Sequence, residues 1–169
     1  MSNSKNLSLD KKNIDTVLVL DFGSQYTQLI ARRIRELNVF SVILPWDVST
    51  EKIKSLSPKG VILSGGPESV TASNTPRIPE IIFELDVPIL GICYGMQTLA
   101  EQFGGQVSSS KNKEFGHAEI LFEKTSLLFD GFSSWSTVDV WISHGDHVST
   151  LPDEFNLIAS TTSAPIVAM

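Results

Sequence analysis

Short aliphatic runs recur along this chain, and between them the apolar positions change from continuous to spaced by three and four. Residues 16–21 (TVLVLD) form the first run, and behind it Tyr26, Leu29, Ile30, Ile34 and Leu37 fall at helical spacing, which predicts a strand followed by a helix. Residues 39–44 repeat the strand signature as far as Pro45, and Ser49 or Thr50 stands where a short helix through Ile53 and Leu56 needs its cap. A third strand, 60–63, runs into Ser64-Gly65-Gly66-Pro67. Pro79 suits the first position of a helix through Ile82 and Leu85, and residues 88–92 make a fourth apolar strand. Behind Cys93, a helix from about 95 to 103 ends on Gly104-Gly105, where glycine can take the left-handed conformation that closes a helix.

Strands alternating with helices pair in parallel through right-handed crossovers. The fold class is therefore α/β: an open, mostly parallel sheet with helices on both faces and ligands at the strand C-terminal ends. Past Val107 the pattern changes to strands with few helical stretches, at 116–122, 137–143, 157–160 and from 166 onward, which predicts a partly antiparallel flank. Residues 108–113 read as a polar loop. Residues 1–14 are polar, lack the apolar stretch of a signal peptide, and are predicted to be a disordered tail ahead of one domain at 15–169.

Composition narrows the function classes. With 169 residues, 41% of them hydrophobic, the chain suits a single domain with a real core. A formal charge of -6 argues against a nucleic-acid binder, which normally carries a basic face. The longest apolar stretch, 87–96, is broken by Pro88, Gly91 and Gly95, far short of the roughly 18 residues of a membrane span, so no membrane partner is expected. One cysteine forms no internal disulfide and suits a reducing, cytoplasmic setting.

That cysteine carries the candidate chemistry. Gly91-Ile92-Cys93-Tyr94-Gly95 puts the thiol at a strand-to-helix turn with glycine on both sides, the cysteine counterpart of a nucleophile elbow. A helix N-terminus there favours thiolate and is expected to lower the thiol pKa. A lone cysteine among glycines is equally a small buried residue at a crowded strand end. The Ser64-Gly65-Gly66-Pro67 loop, itself also readable as a plain Gly-Pro turn, follows another strand of the same sheet and can meet Cys93 at one edge. A nucleophile facing two backbone donors, the N–H groups of Gly66 and Tyr94, is what acyl transfer from an amide requires.

With Asp21-Phe22-Gly23-Ser24-Gln25-Tyr26, the Ser-Gly-Gly-Pro loop, residues 91–97, Glu114-Phe115-Gly116 and Ser143-His144-Gly145-Asp146, the chain resembles the class I, triad-type glutamine amidotransferases. The segment from Asp21 to Tyr26 points to the amidotransferase domains of GMP synthetases. The resemblance covers residues 16–169 and implies that Cys93 attacks the glutamine amide, with Gly65 lining the site and Gln97, Ser143, His144 and Asp146 helping to hold the substrate. It also implies an ATP-pyrophosphatase partner domain that uses ATP, magnesium and the released ammonia to turn XMP into GMP, and a homodimer of the whole enzyme. No cofactor or metal is expected in this chain.

The family takes its catalytic histidine and glutamate from a His-Pro-Glu segment downstream of residue 166, and no such segment occurs among the 169 residues. The expectation is a domain missing its C-terminal part, silent alone, with strand edge and apolar surface exposed. Among His117, His144 and His147, His144 is the candidate for an improvised base. His144-x-x-His147 with Asp146 between also invites a metal reading, but loop histidines are more often solvated or hydrogen-bonded. Arg32, Arg33, Arg35 and Glu36 read as a solvated face, and Trp46, Trp135 and Trp141 as core or domain-contact aromatics. Two rivals stay open: a silent module that binds glutamine or a partner, and a cysteine hydrolase or redox protein using the same elbow.

Overall fold

Two sheets share the work of placing Cys93. The computed structural model describes the backbone of residues 14–132 and 137–169, with side chains described except at 110–115 and 142–144. The tail expected at 1–14 thus lies, but for its last residue, outside the described residues, as does Trp135. In chain order the elements are β1 (Thr16–Asp21), α1 (Thr27–Glu36), β2 (Phe40–Pro45), α2 (Thr50–Leu56), β3 (Gly60–Leu63), a 3-10 helix (Glu80–Leu85) and β4 (Ile89–Gly91). Then follow α3 (Tyr94–Gln102), β5 (Gln106–Phe122), a 3-10 turn (Leu127–Phe129), β6 (Thr137–Thr150) and β7 (Ala159–Ser160).

The first sheet is parallel, in the order β2-β1-β3-β4. Leu18 pairs with Val61 and Leu20 with Leu63, so these four side chains share a face. That face is buried against Ile53 of α2, Ile81 and Ile82 of the 3-10 helix and Tyr94 of α3. On the opposite face Val19 is fully buried, and Ser41 of β2 donates its hydroxyl to the Ala31 carbonyl of α1 at 3.0 Å. Helices therefore cover both faces, and both central strands read as near-continuous apolar runs.

The helix at α1 forms as its periodicity predicts, but the spaced large residues are not what it buries. Tyr26, Leu29 and Leu37 are 61%, 44% and 76% exposed, whereas Thr27 and Ala31 are buried. Small residues let the helix backbone approach the sheet, and the Thr27 hydroxyl is held by Asp21 Oδ1 at 2.7 Å. On the exposed side, Arg32 and Arg33 both pair with Glu36, and these guanidinium groups hold its carboxyl below the usual range.

Other boundaries shift for local reasons. Ser49 caps α2 by accepting from the Lys52 N–H. Pro79 stands just outside a six-residue 3-10 helix rather than opening an α-helix, and Asp86 turns left-handed (φ 51°) directly after Leu85 to end it. Pro45 ends β2 inside the ladder, which a strand at the sheet edge tolerates.

The second sheet is antiparallel, in the order β6-β5-β7. The polar loop expected at 108–113 is instead part of the 17-residue β5, and its pairing moves from Ser109–Asp146 directly to Glu114–His144. β6 runs on through residues 143–147, so His144 and His147 stand in a strand and not in a loop. Trp141 is 79% exposed on this ribbon and is no core residue. From Ile166 onward the only pairing among the described residues is a bridge between Ala159 and Ala168.

Candidate active site

Three loops converge at the C-terminal ends of β1, β3 and β4. In the first, Asp21 accepts from the Gly23 N–H as well as from Thr27, and Ser24 Oγ accepts from the Tyr26 N–H. Those bonds fold residues 22–26 back on the second loop: a Cβ placed on Gly65 would lie 3.5 Å from Ser24 Oγ and 3.7 Å from Cys93 Cβ. Buried Ser64 ties the two together, accepting from the Phe22 N–H at 3.0 Å and donating to the Gly65 carbonyl at 2.8 Å.

The third loop is the elbow. Cys93 caps α3 with φ 50° and ψ -109°, a conformation that lifts the side chain out of the strand and sets it at the helix mouth. Space dictates the flanking glycines. A Cβ on Gly91 would come within 2.7 Å of the Met96 nitrogen, and one on Gly66 within 2.7 Å of the Phe22 carbonyl oxygen.

The first turn of α3 leaves unpaired N–H groups by helix geometry. Gly95 donates to the Ser64 and Ile92 carbonyls and Gln97 to the Cys93 carbonyl. Gly66 sits close by, since a Cβ there would be 3.3 Å from Tyr94 Cγ. The two nominated residues are thus neighbours.

Cys93 is the exposed thiol at this point. Its surroundings still desolvate it, and burial pushes the thiol up from its ordinary value. The lowered pKa expected from the helix N-terminus is therefore corrected: desolvation sets the direction of the shift. Without a base nearby, such a side chain rests as a thiol.

A cavity of about 230 Å³ opens on the sulfur, with Gln97, Asp146, His147, Ile166 and Val167 among its walls. It is smaller than the ~300 Å³ at which drug-sized pockets begin, and so suits one small metabolite. Gln97 is buried and donates Nε2 to the Asp146 carbonyl at 2.8 Å, joining α3 to β6. His147, which the sequence offered only as a rejected metal candidate and as a less favoured base than His144, lines this cavity. The side chains of Ser143 and His144 lie outside those described, and His117 pairs with Asp139 on the exposed ribbon. A larger cleft of about 630 Å³ beside Phe122 and Leu127 shares no residue with the cysteine site.

The family model described as glutamine amidotransferase class-I matches residues 18–169. The chain belongs to that family. As an amidotransferase domain it is 57% identical over 159 residues to a glutamine-hydrolyzing GMP synthase of Teredinibacter turnerae, covering 90% of this chain and 30% of the relative. A glutamine-hydrolyzing GMP synthase of Methylococcus capsulatus is 55% identical over 159 residues, with the same coverage. This amidotransferase chain thus spans about a third of the length of the curated relatives it matches.

Among solved structures, a GMP synthase component from Thermoplasma acidophilum superposes with a TM-score of 0.74 at 32% identity. The match covers 90% of this amidotransferase chain and 76% of that one. A glutamine amidotransferase of Thermotoga maritima, 22% identical with a TM-score of 0.69, covers 90% of this chain and 70% of its own and shares the fold. No helix among the described residues is long and apolar enough to cross a membrane.

Proposed function

We propose that this domain is the glutamine-hydrolysing part of a GMP synthetase, with Cys93 as its nucleophile. The observation that carries the reading is the meeting of the Cys93 elbow with the Gly65-Gly66 loop, so close that a Cβ on Gly65 would lie 3.7 Å from Cys93 Cβ and one on Gly66 3.3 Å from Tyr94 Cγ. The Cys93 sulfur adds to the carboxamide carbon of glutamine, and the carbonyl oxygen becomes an oxyanion facing the Gly66 and Tyr94 N–H groups. Each donor of this kind typically contributes about 2.7–4 kcal/mol to the transition state. The C–N bond then breaks, ammonia leaves with the proton from the thiol, and a glutamyl thioester remains. Water adds hydroxyl to the acyl carbon and returns its other proton to the sulfur, giving glutamate.

Gly65, Gln97, Ser143, His144 and Asp146 are assigned to the substrate, whose charged backbone end needs paired polar anchors. Because the thiol is held protonated, proton transfer needs a base. We assign that role to the histidine of a His-Pro-Glu segment, as in the family, rather than to His144 or His147. Ammonia would pass to an ATP-pyrophosphatase domain that uses ATP and magnesium to convert XMP into GMP, in a cytoplasmic, homodimeric whole enzyme. The domain itself uses no metal or cofactor.

Glutamate release from glutamine tests the reading. The 169-residue chain is compared with a form extended through a His-Pro-Glu segment, each with Cys93 and with Cys93→Ala. Activity confined to the extended Cys93 form is expected. Activity that survives Cys93→Ala removes the nucleophile, equal activity in short and extended forms hands the base to a resident histidine, and glutamine binding without turnover in either form favours a silent module.

A further inference from the structure

The long segment after the glycine loop, residues 68–79, contains no helix or strand, yet it is fastened to α3 at four places. The Tyr94 hydroxyl donates to the Pro76 carbonyl at 2.7 Å. Arg77 forms an ion pair with Glu101 and donates to the Val70 carbonyl at 2.9 Å. The Gln102 amide clasps the backbone of Ile78 on both sides, accepting from its N–H at 2.9 Å and donating to its carbonyl at 3.0 Å. Thr98 holds that amide in place through Gln102 Oε1 at 3.2 Å.

Tyr94, Glu101 and Gln102 all project from the helix whose first residue carries one candidate oxyanion donor, and all grip the segment that directly follows the loop carrying the other. Tyr94 does so most directly. Its ring packs beneath Gly66 and against Phe22 with centroids 5.4 Å apart, and its hydroxyl ends on Pro76. We infer that the Tyr94 side chain is a positioning residue, which fixes the distance between the Gly66 and Tyr94 donors by locking the glycine loop to the elbow helix. Thr98 and Gln102 support it one and two turns further along. Burial raises the phenol above its ordinary pKa, so the hydroxyl keeps its proton and stays a donor throughout the neutral range.

The inference rests on the amidotransferase reading, and the test separates the two. The probe is a glutamine analogue in which CH2Cl replaces the amide NH2, which alkylates the sulfur with loss of chloride after its carbonyl enters the donor pair. Iodoacetamide alkylates the same sulfur without any oxyanion. Tyr94→Phe keeps the ring and removes the bond to Pro76. The limiting rate with the analogue should fall about 10-fold, since a misplacement of about 1 Å can cost 10²-fold. Half-saturation by the analogue and the iodoacetamide rate should stay within about twofold.

A second variant, Gln102→Glu, keeps the acceptor for the Ile78 N–H and loses the donor to its carbonyl, and should show a smaller loss of the same kind. An unchanged limiting rate in Tyr94→Phe overturns the inference, as does an equal fall with iodoacetamide, which would mark general loosening. A wild-type chain that takes iodoacetamide but not the analogue overturns the amidotransferase reading itself and removes the bracing role with it.

Discussion

Gly95 lies directly under Leu63: a Cβ on residue 95 would stand 2.4 Å from the Leu63 carbonyl oxygen and 2.6 Å from its Cβ. The elbow helix can seat on β3 only because that methyl is missing. Gly95→Ala forces the helix off the strand, and overpacking of this kind costs about 1–3 kcal/mol or more. A lowered midpoint in urea unfolding, with lost labelling by the chloroketone analogue, is the expected outcome; an unshifted midpoint would mean that the contact yields easily.

Ser64 is wholly buried and its hydroxyl serves two partners, the Phe22 N–H and the Gly65 carbonyl. Ser64→Ala leaves a buried amide hydrogen without an acceptor, a loss of about 1–3 kcal/mol. Denaturant unfolding should register it. Hydrogen exchange at Phe22 should quicken in the same variant.

The upward shift of Cys93 has a sign that can be checked twice. In the folded chain the thiol ionises above its ordinary value, so iodoacetamide rates should climb with pH and reach half their maximum above that of a free thiol. The unfolded chain ionises first. Between the two pKa values it binds fewer protons than the folded chain, so stability is full below the unfolded pKa and falls as pH rises toward the folded one. Cys93→Ala should flatten that alkaline decline. A half-maximum below the free-thiol value would instead show the helix N-terminus prevailing over desolvation.

Ser49 holds α2 through a long 3.4 Å contact to the Lys52 N–H on an exposed surface. Ser49→Ala should cost near the low end of the cap range, about 0.5 kcal/mol. Labelling of Cys93 should be untouched, because none of the three converging loops includes α2.

What the sequence disclosed, it disclosed where one physical rule acts alone. β1 is buried on both faces at its centre and β3 is at least half-buried throughout, so TVLVLD and GVIL are legible as strands to the residue. The elbow is legible because its glycines answer to contacts under 3 Å. In α1 two demands compete, and close approach to the sheet selects Thr27 and Ala31 over the larger residues that set the period. β5 is hidden for a different reason. Much of the ribbon it forms with β6 is only partly buried, and Trp141 points outward from it, so polarity at 108–113 carries no information about backbone pairing. The same blindness concealed the placement of His147, whose position at the cavity depends on β6 extending to Thr150.

The backbone of Cys93, at φ 50° and ψ -109°, sits where side chains are disfavoured and glycine is at ease. Such a conformation stores about 1–3 kcal/mol. Thermodynamics alone would therefore write glycine at this position, and Cys93→Gly should melt at a higher temperature than Cys93→Ala while neither carries a nucleophile. The sulfur is held against the preference of its own fold. Stability and chemistry pull this one residue in opposite directions, and the sequence has settled for the less stable choice.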